Sequence, residues 1–367
     1  MDSPSMTQPT ASKRLINIMD RDNINKVVPV ISHSFYINEV LRDQIKLKDS
    51  TTDQTDATDQ GLTANEQLTK LWSKSKDVNY PMTDGHDLAR VAQYYQVDQE
   101  VPVVAKRAYL KFLNSQLLEM NPDQVELTAR LKAGAPFSEI VTQLGYTKSL
   151  EQNDPLGKLA DLPFSNYITT SYHDFMERAL VKADRTPITQ YLSLDDEGKI
   201  TAPTLDEKGK PADPIPDLMG SVAKPVVYHL FGVENDPKSL VISEDDYVNF
   251  LVAAVTDLST VVTNSDVQKD SQKKGLPMGL RRILSAYHLL LLGYQLQDWD
   301  FRVLFRLILQ LRTSSPKPGI FMQIPPNQAV ESLLNYLVRY FGPKQFDVEW
   351  KSPTQFTEEL WKIWEGQ

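Results

Sequence analysis

Four stretches of this chain are apolar almost without a break, and each stops at a turn of hydroxyl, imidazole, aromatic or glycine residues. They are Lys26–Ile31 before Ser32, Tyr167–Thr170 before Ser171, Val226–Leu230 before Phe231 and Gly232, and Leu289–Leu292 before Gly293. A strand with one wet face alternates apolar and polar residues, whereas a strand covered on both faces has no reason to. The four runs therefore predict neighbouring strands of one mainly parallel sheet with helices packed on both sides.

Helical patterns separate these runs. Val101–Met120 reads as a long helix whose apolar face is Val104, Ala108, Leu110, Phe112, Leu117 and Leu118, and Asp87–Tyr95, Asp123–Leu131 and Pro136–Leu144 extend a helical insertion over residues 67–150. Ser243 with Asp246 three residues on has the form of a capping box opening a helix over Tyr247–Val255. A further helix from Asp298 is expected to bury Phe301, Leu304, Phe305, Ile308 and Leu311. Ile320–Ile324 and Phe346–Trp350 read as later strands. Strands alternating with helices give the fold class: α/β, a doubly wound, mainly parallel Rossmann-type sheet with a helical insertion, as a single domain over residues 1–367.

Composition narrows the functions open to such a domain. A net charge of -9 without a Lys/Arg cluster argues against a nucleic-acid groove, which works by neutralising phosphates. The chain has no cysteine, so disulfides, thiolate zinc sites and cysteine nucleophiles are excluded together. No apolar run approaches the roughly 20 residues a membrane span needs, and the first residues lack a basic start with an apolar core, so the expected location is the cytoplasm, away from membranes. Residues 48–66 are acidic, hydroxyl-rich and nearly free of large apolar groups, which predicts a flexible loop. Asp195–Asp217, dense in Pro, Gly, Asp and Lys, reads as a surface insertion of turns.

In a parallel α/β sheet a ligand sits beyond the carboxyl ends of the strands. The residues at those ends are Ser32, His33 and Ser34; Thr170, Ser171 and His173; Phe231 and Gly232; and Gly293, Tyr294 and Gln295. All are expected to line one pocket. A plainer reading stands beside this one: Ser32–Ser34, and Thr170 or Ser171, suit the caps of the helices that follow. His86, in the segment Thr83-Asp-Gly-His-Asp87, reads more simply as a loop histidine than as a catalytic one.

Three of these stretches taken together, I-T-T-S-Y-H-D-F-M-E-R-A-L, V-V-Y-H-L-F-G with its following P-x-S-L-V-I-S-E-D-D-Y, and L-L-L-L-G-Y-Q-L-Q-D-W-D-F-R-V-L, resemble the bacterial sirtuin-like domain family found in NAD-consuming anti-phage effectors. The resemblance is strongest from residue 167 to 312. It implies a Rossmann-type site for NAD or ADP-ribose, and the lack of cysteine fits the branch of that family without a zinc module, so no zinc is expected.

The chain departs from the family where the family does chemistry. The usual glycine-rich first turn is Ser32-His33-Ser34, without the glycine that lets backbone N–H groups approach a pyrophosphate. The usual Asn after the paired threonines is Ser171, the usual Asp is His173, and the usual His before glycine is Phe231, which cannot act as a base. His229 lies two residues earlier, roughly 6.6 Å along the strand, too far to replace it. Two function classes follow: a catalytically degenerate sirtuin-like module of a defence or signalling system that works by binding a nucleotide, a protein partner or a second copy of itself, or an active NAD glycohydrolase with Ser171 and His173 in altered roles.

Overall fold

The computed structural model describes residues 13–35, 37–38, 62–121, 135–144, 154–260, 275–312, 317–323 and 331–366, with 123, 126, 129 and 130 between them. Its centre is a nine-stranded sheet. In chain order the strands are β1 (Val27–Ile31), β2 (Asn166–Thr169), β3 (Ile188–Tyr191), β4 (Ser193–Leu194), β5 (Ile200–Thr201), β6 (Thr204–Leu205), β7 (Pro211–Ala212), β8 (Val226–His229), β9 (His288–Leu292), β10 (Gly319–Gln323) and β11 (Phe346–Trp350). Across the sheet they run β11-β10-β9-β1-β2-β8-β3-β6-β7, with β4 and β5 forming a separate pair.

The four apolar runs are the contiguous centre, β9-β1-β2-β8, and every pairing among them is parallel. The sheet is covered on both faces, as their composition requires. Val28, Val30, Leu289 and Leu291 pack into one layer, while Val27, Ile31, Leu290 and Leu292 pack into the other. All four leucines of β9 are fully buried, and each contributes roughly 1.5–3 kcal/mol by leaving water. This is the doubly wound α/β arrangement. The chain builds from β1 towards β2 and β8 on one side and returns through β9 to β10 and β11 on the other, so the order switches at β1.

Several local expectations need correcting. Of the acidic loop expected over 48–66, residues 48–61 lie outside the described residues, and its end is helical: Thr63 and Glu66 form a reciprocal capping box on the helix Ala64–Ser73. Two hydrogen bonds at a helix start outweigh a low apolar content there. The helix Pro102–Met120 buries Ala105, Lys106, Tyr109, Leu113, Gln116 and Leu117, while Val104, Ala108, Leu110, Phe112 and Leu118 are only partly buried. Apolar residues flank the helix on both sides, and the stripe that wins carries Tyr109, whose ring meets Trp72 at 5.0 Å and Tyr172 at 6.3 Å. Asp195–Asp217 is not irregular. It contributes β6 and β7, a hairpin that extends the main sheet antiparallel to β3, because the Asp206-to-Gly209 turn, with Gly209 at φ 69°, lets the chain reverse tightly. Most of the helix expected over Asp123–Leu131 lies outside the described residues. The Ser243/Asp246 capping box is present, opening a helix over Glu244–Thr260.

Candidate functional site

A cleft of about 310 Å³ opens where β1, β2 and the turn after β9 end. His33 and Ser34 follow β1, Thr170 and Tyr172 follow β2, and Asp298, Trp299 and Asp300 begin the helix Trp299–Leu311 that follows β9. Asn65 and Glu66, from the end of the acidic stretch, and Asp84, His86, Asp87 and Arg90, from the helical insertion, close the other side.

Hydrogen bonds tie the strand ends together. The Thr170 hydroxyl donates to Asp300 Oδ2 at 2.8 Å and accepts the His33 N–H at 3.0 Å. Asn65 Nδ2 donates to Ser34 Oγ at 3.4 Å, and Asn65 N–H donates to Asn38 Oδ1 at 3.0 Å. His33 stacks on Tyr172 with ring centres 4.3 Å apart, and its Nε2 lies 3.2 Å from the Tyr172 hydroxyl. Burial, reinforced by the His173 imidazole nearby, lowers the His33 pKa to about 3, so this ring is neutral and weakly basic at neutral pH.

The cleft is acidic. Burial lifts the Asp300 carboxyl to about 6, against the hydrogen bonds from Thr170 and the Phe301 N–H, which act to lower it. Asp298 is raised well above the ordinary carboxylate range, first by burial and then by Asp300 beside it. At the rim Arg90 pairs with Asp84 and lies 3.6 Å from both Asp87 and Glu244. Among the described residues lining the cleft, Arg90 is the one Lys or Arg, and these carboxylates already engage it.

Of the residues expected at the site, His33, Ser34 and Thr170 line this cleft. Ser32 is buried beneath it, its hydroxyl donating to Gly293 O at 2.8 Å and accepting the Phe35 N–H at 3.0 Å, which is the capping role. Ser171 is also buried, and its hydroxyl accepts the His173 N–H at 3.2 Å. Neither Thr170 nor Ser171 caps the next helix, which starts at Phe175 with Asp174 as its first flanking residue. His173 turns away to a second cavity. Phe231 packs edge-on against Tyr247 and Phe250 in the core, and Tyr294 is buried against Phe301. Gly232 and Gly293 have positive φ, 84° and 78°, and serve as sharp strand exits. Gln295 is half-buried, and Gln297, which donates to it, reaches the cleft instead.

Sequence reasoning missed Asp298, Asp300, Glu66 at the end of the acidic stretch, and the insertion's Asp84 and Asp87. A signal existed for the first two: Asp298-Trp299-Asp300, five residues after the glycine that ends a strand, places two acids at a helix start. For the others there was none, because only the fold brings them over the sheet edge.

Residues 165–341 match the family model of the SIR2-like domain. That span runs from just before β2 through the helix Glu331–Phe341, and it contains all three motifs that carry the resemblance to sirtuin-like proteins, while β1 and the helical insertion lie outside it. No curated protein matches the chain. Among the described residues no group of His, Asp or Glu is arranged to hold a metal ion, and no helix is long and apolar enough to cross a membrane.

Asp300 yields a test of the site's electrostatics. An acid raised in the folded state leaves stability intact below its unfolded value and costs stability as pH rises through the folded value, here about 6. Asp300→Asn should therefore be more stable than the unaltered chain at pH 8, by on the order of 1 kcal/mol given that water reaches the cleft, and indistinguishable at pH 4. Urea denaturation at the two pH values measures the difference, and an equal offset at both would show that Asp300 is not held protonated.

Proposed function

We propose that this chain is a sirtuin-like Rossmann module that binds a nucleotide of the NAD or ADP-ribose kind, or a protein partner, in a bacterial defence or signalling system, and that it no longer hydrolyses NAD. The observation that carries this reading is the state of the three imidazoles nearest the strand ends. His229 is bonded through both ring nitrogens, to Ser171 O at 2.6 Å and Glu177 Oε1 at 2.8 Å. His173 is bonded to Glu234 and faces another cavity. His33 has a pKa near 3, too low for a base working near neutral pH. The family's own position for a base is Phe231, buried in the core.

The cleft suits the sugar end of a nucleotide better than its phosphates. Carboxylates such as Asp298 and Asp300 accept hydrogen bonds from ribose hydroxyls, whereas the turn after β1 offers a pyrophosphate no glycine cradle, and the acids around it oppose negative charge. The expected result is measurable heat on titrating ADP-ribose or NAD, and negligible NAD consumption by the same protein, since a positioned general base alone supplies about 10² to 10⁴-fold. Installing Ser171→Asn, His173→Asp and Phe231→His together should not create turnover, because the glycine-free turn remains.

One observation favours an active NAD glycohydrolase instead: Asp300, with its carboxyl lifted to about 6, is a candidate general acid inside the cleft. Robust NAD consumption by the unaltered protein that is lost in Asp300→Asn would establish that reading and overturn the first.

A further inference from the structure

A third cavity, of about 390 Å³, opens at the opposite edge of the sheet, where the strands begin. Its floor includes His288, the first residue of β9, which pairs in register with Val27, the first of β1, and Pro318, which directly precedes β10. The length of β1 separates this edge from the strand-end cleft, roughly 13 Å at about 3.3 Å per residue. Arg14, Asn17 and Ile18, which their spacing puts on one face of the helix Lys13–Ile18, complete the wall with Asn23 and Lys317.

Charge sets this cavity apart. In a chain with a net charge of -9, the described residues lining it include an Arg, a Lys and a His and no Asp or Glu. Burial lowers the His288 pKa, against the hydrogen bond to Pro318 O, and Lys317, Arg312 and Lys26 lower it further, so the surrounding field is positive. Arg312 is buried, donates to the carbonyls of Leu284, Tyr287 and Lys317, and has no carboxylate partner among the described residues. A buried cation without a counter-ion is costly, and an anion held nearby offsets that cost. Arg14 donates through Nη1 to Asp347 Oδ1 at 2.6 Å, which uses one of the five N–H donors of its guanidinium. The segment that carries Lys317 is also held in place: Arg312 Nη1 donates to Lys317 O at 2.7 Å, and His288 Nδ1 lies 2.8 Å from Pro318 O. Two buried side chains thus fix the backbone from which the lysine reaches the cavity.

We infer that this cavity binds a small sugar phosphate, its phosphate held by Arg14 and Lys317 and its hydroxyls by the side-chain amides of Asn17 and Asn23. A phosphate dianion matches two cations, and guanidinium and ammonium are the side chains that hold phosphate best. An amide both donates and accepts, as a hydroxyl does. A cationic ligand would meet like charge on every side, and an apolar acid would find little beyond Ile18 and Pro318 to lie against. The volume falls within the range of small-molecule pockets, about 300–1,000 Å³, and leaves room for a sugar beside the phosphate. This site is independent of nucleotide binding at the strand-end cleft.

The test is calorimetric titration of the full chain with ribose 5-phosphate, inorganic phosphate and ribose, in about 0.1 M salt so that loose attraction between exposed charges is screened. Ribose 5-phosphate should bind, inorganic phosphate should bind about tenfold more weakly for want of the hydroxyls, and ribose should give no measurable heat. Lys317→Gln and Arg14→Gln should each weaken ribose 5-phosphate by about fivefold or more. Lys317 is exposed, so its variant keeps the fold and decides the matter if Arg14→Gln, which also breaks the pair with Asp347, loses its circular dichroism spectrum. Absence of ribose 5-phosphate binding, equal binding of inorganic phosphate or ribose, or binding unchanged in Lys317→Gln would overturn the proposal. So would binding that survives Lys317→Gln but is lost in Arg90→Gln, since that would place the phosphate in the strand-end cleft.

Discussion

Glu177→Ala is expected to lower the unfolding free energy by about 3–5 kcal/mol, the cost of removing one partner from a buried, hydrogen-bonded charge pair. His229 is 1 % exposed, and its two ring nitrogens face the Ser171 carbonyl and the Glu177 carboxylate, both of which can only accept. A ring carrying two protons donates to both. Burial acts to lower its pKa, but the Glu177 charge, the hydrogen bond to it and the Ser171 carbonyl outweigh burial and raise it above 6.5. Glu177 is held in turn by the Thr189 hydroxyl at 2.8 Å. A raised histidine contributes stability that is complete below its unfolded value and lost as pH climbs through its folded one. The unaltered chain should therefore lose stability from near-neutral pH upward, and Glu177→Ala should lack that slope. Urea denaturation at about pH 6 and about pH 9 measures both effects, and a loss below about 1 kcal/mol would show that the pair carries no net stabilisation.

Gly232→Ala should be nearly as damaging. The glycine has φ 84°, and a Cβ built there would lie 2.3 Å from Ser239 O and 2.4 Å from Ser239 C. Left-handed backbone costs a non-glycine residue about 1–2 kcal/mol, and forcing a methyl against backbone adds about 1–3 kcal/mol. The expected loss of about 2–5 kcal/mol should appear as a lower denaturation midpoint and reduced soluble yield. Ser239 cannot step aside easily, because its hydroxyl accepts the Val233 N–H and donates to Asp236 O, so the turn is held from both sides. A variant as stable as the unaltered chain would mean that the turn can rearrange, and that Gly232 is not what fixes the exit from β8.

The centre of the sheet was legible because burial on two faces leaves a mark in one dimension: Val27–Ile31 and Leu289–Leu292 cannot be water-facing strands. Capping at Ser243 and Asp246 was legible for the same reason, being a contact between near neighbours in sequence. The phase of Pro102–Met120 was not, since which stripe is buried depends on Trp72 and Tyr172 arriving from elsewhere. At the site, Thr170, His33 and Ser34 followed from the rule that ligands sit at strand ends. That rule gives positions and not directions. It could not tell that Phe231 packs inward, that Ser171 spends its hydroxyl on the backbone, or that His173 points to a different cavity. The acids of the cleft come from a helix start and an insertion, neither of which strand ends announce.

The hairpin that finishes one side of the sheet also limits how copies of this protein could polymerise. Its outermost strand, β7, is two residues long, and Pro211 has no N–H, so a neighbouring chain would find at most one amide donor there. The opposite margin, β11, is five residues long. Joining sheets margin to margin could therefore link two molecules through β11 and then stop, because the pair would present only its blunt ends. Growth of a fibre in this way needs two sticky margins on every unit, and among the described residues the main sheet offers at most one.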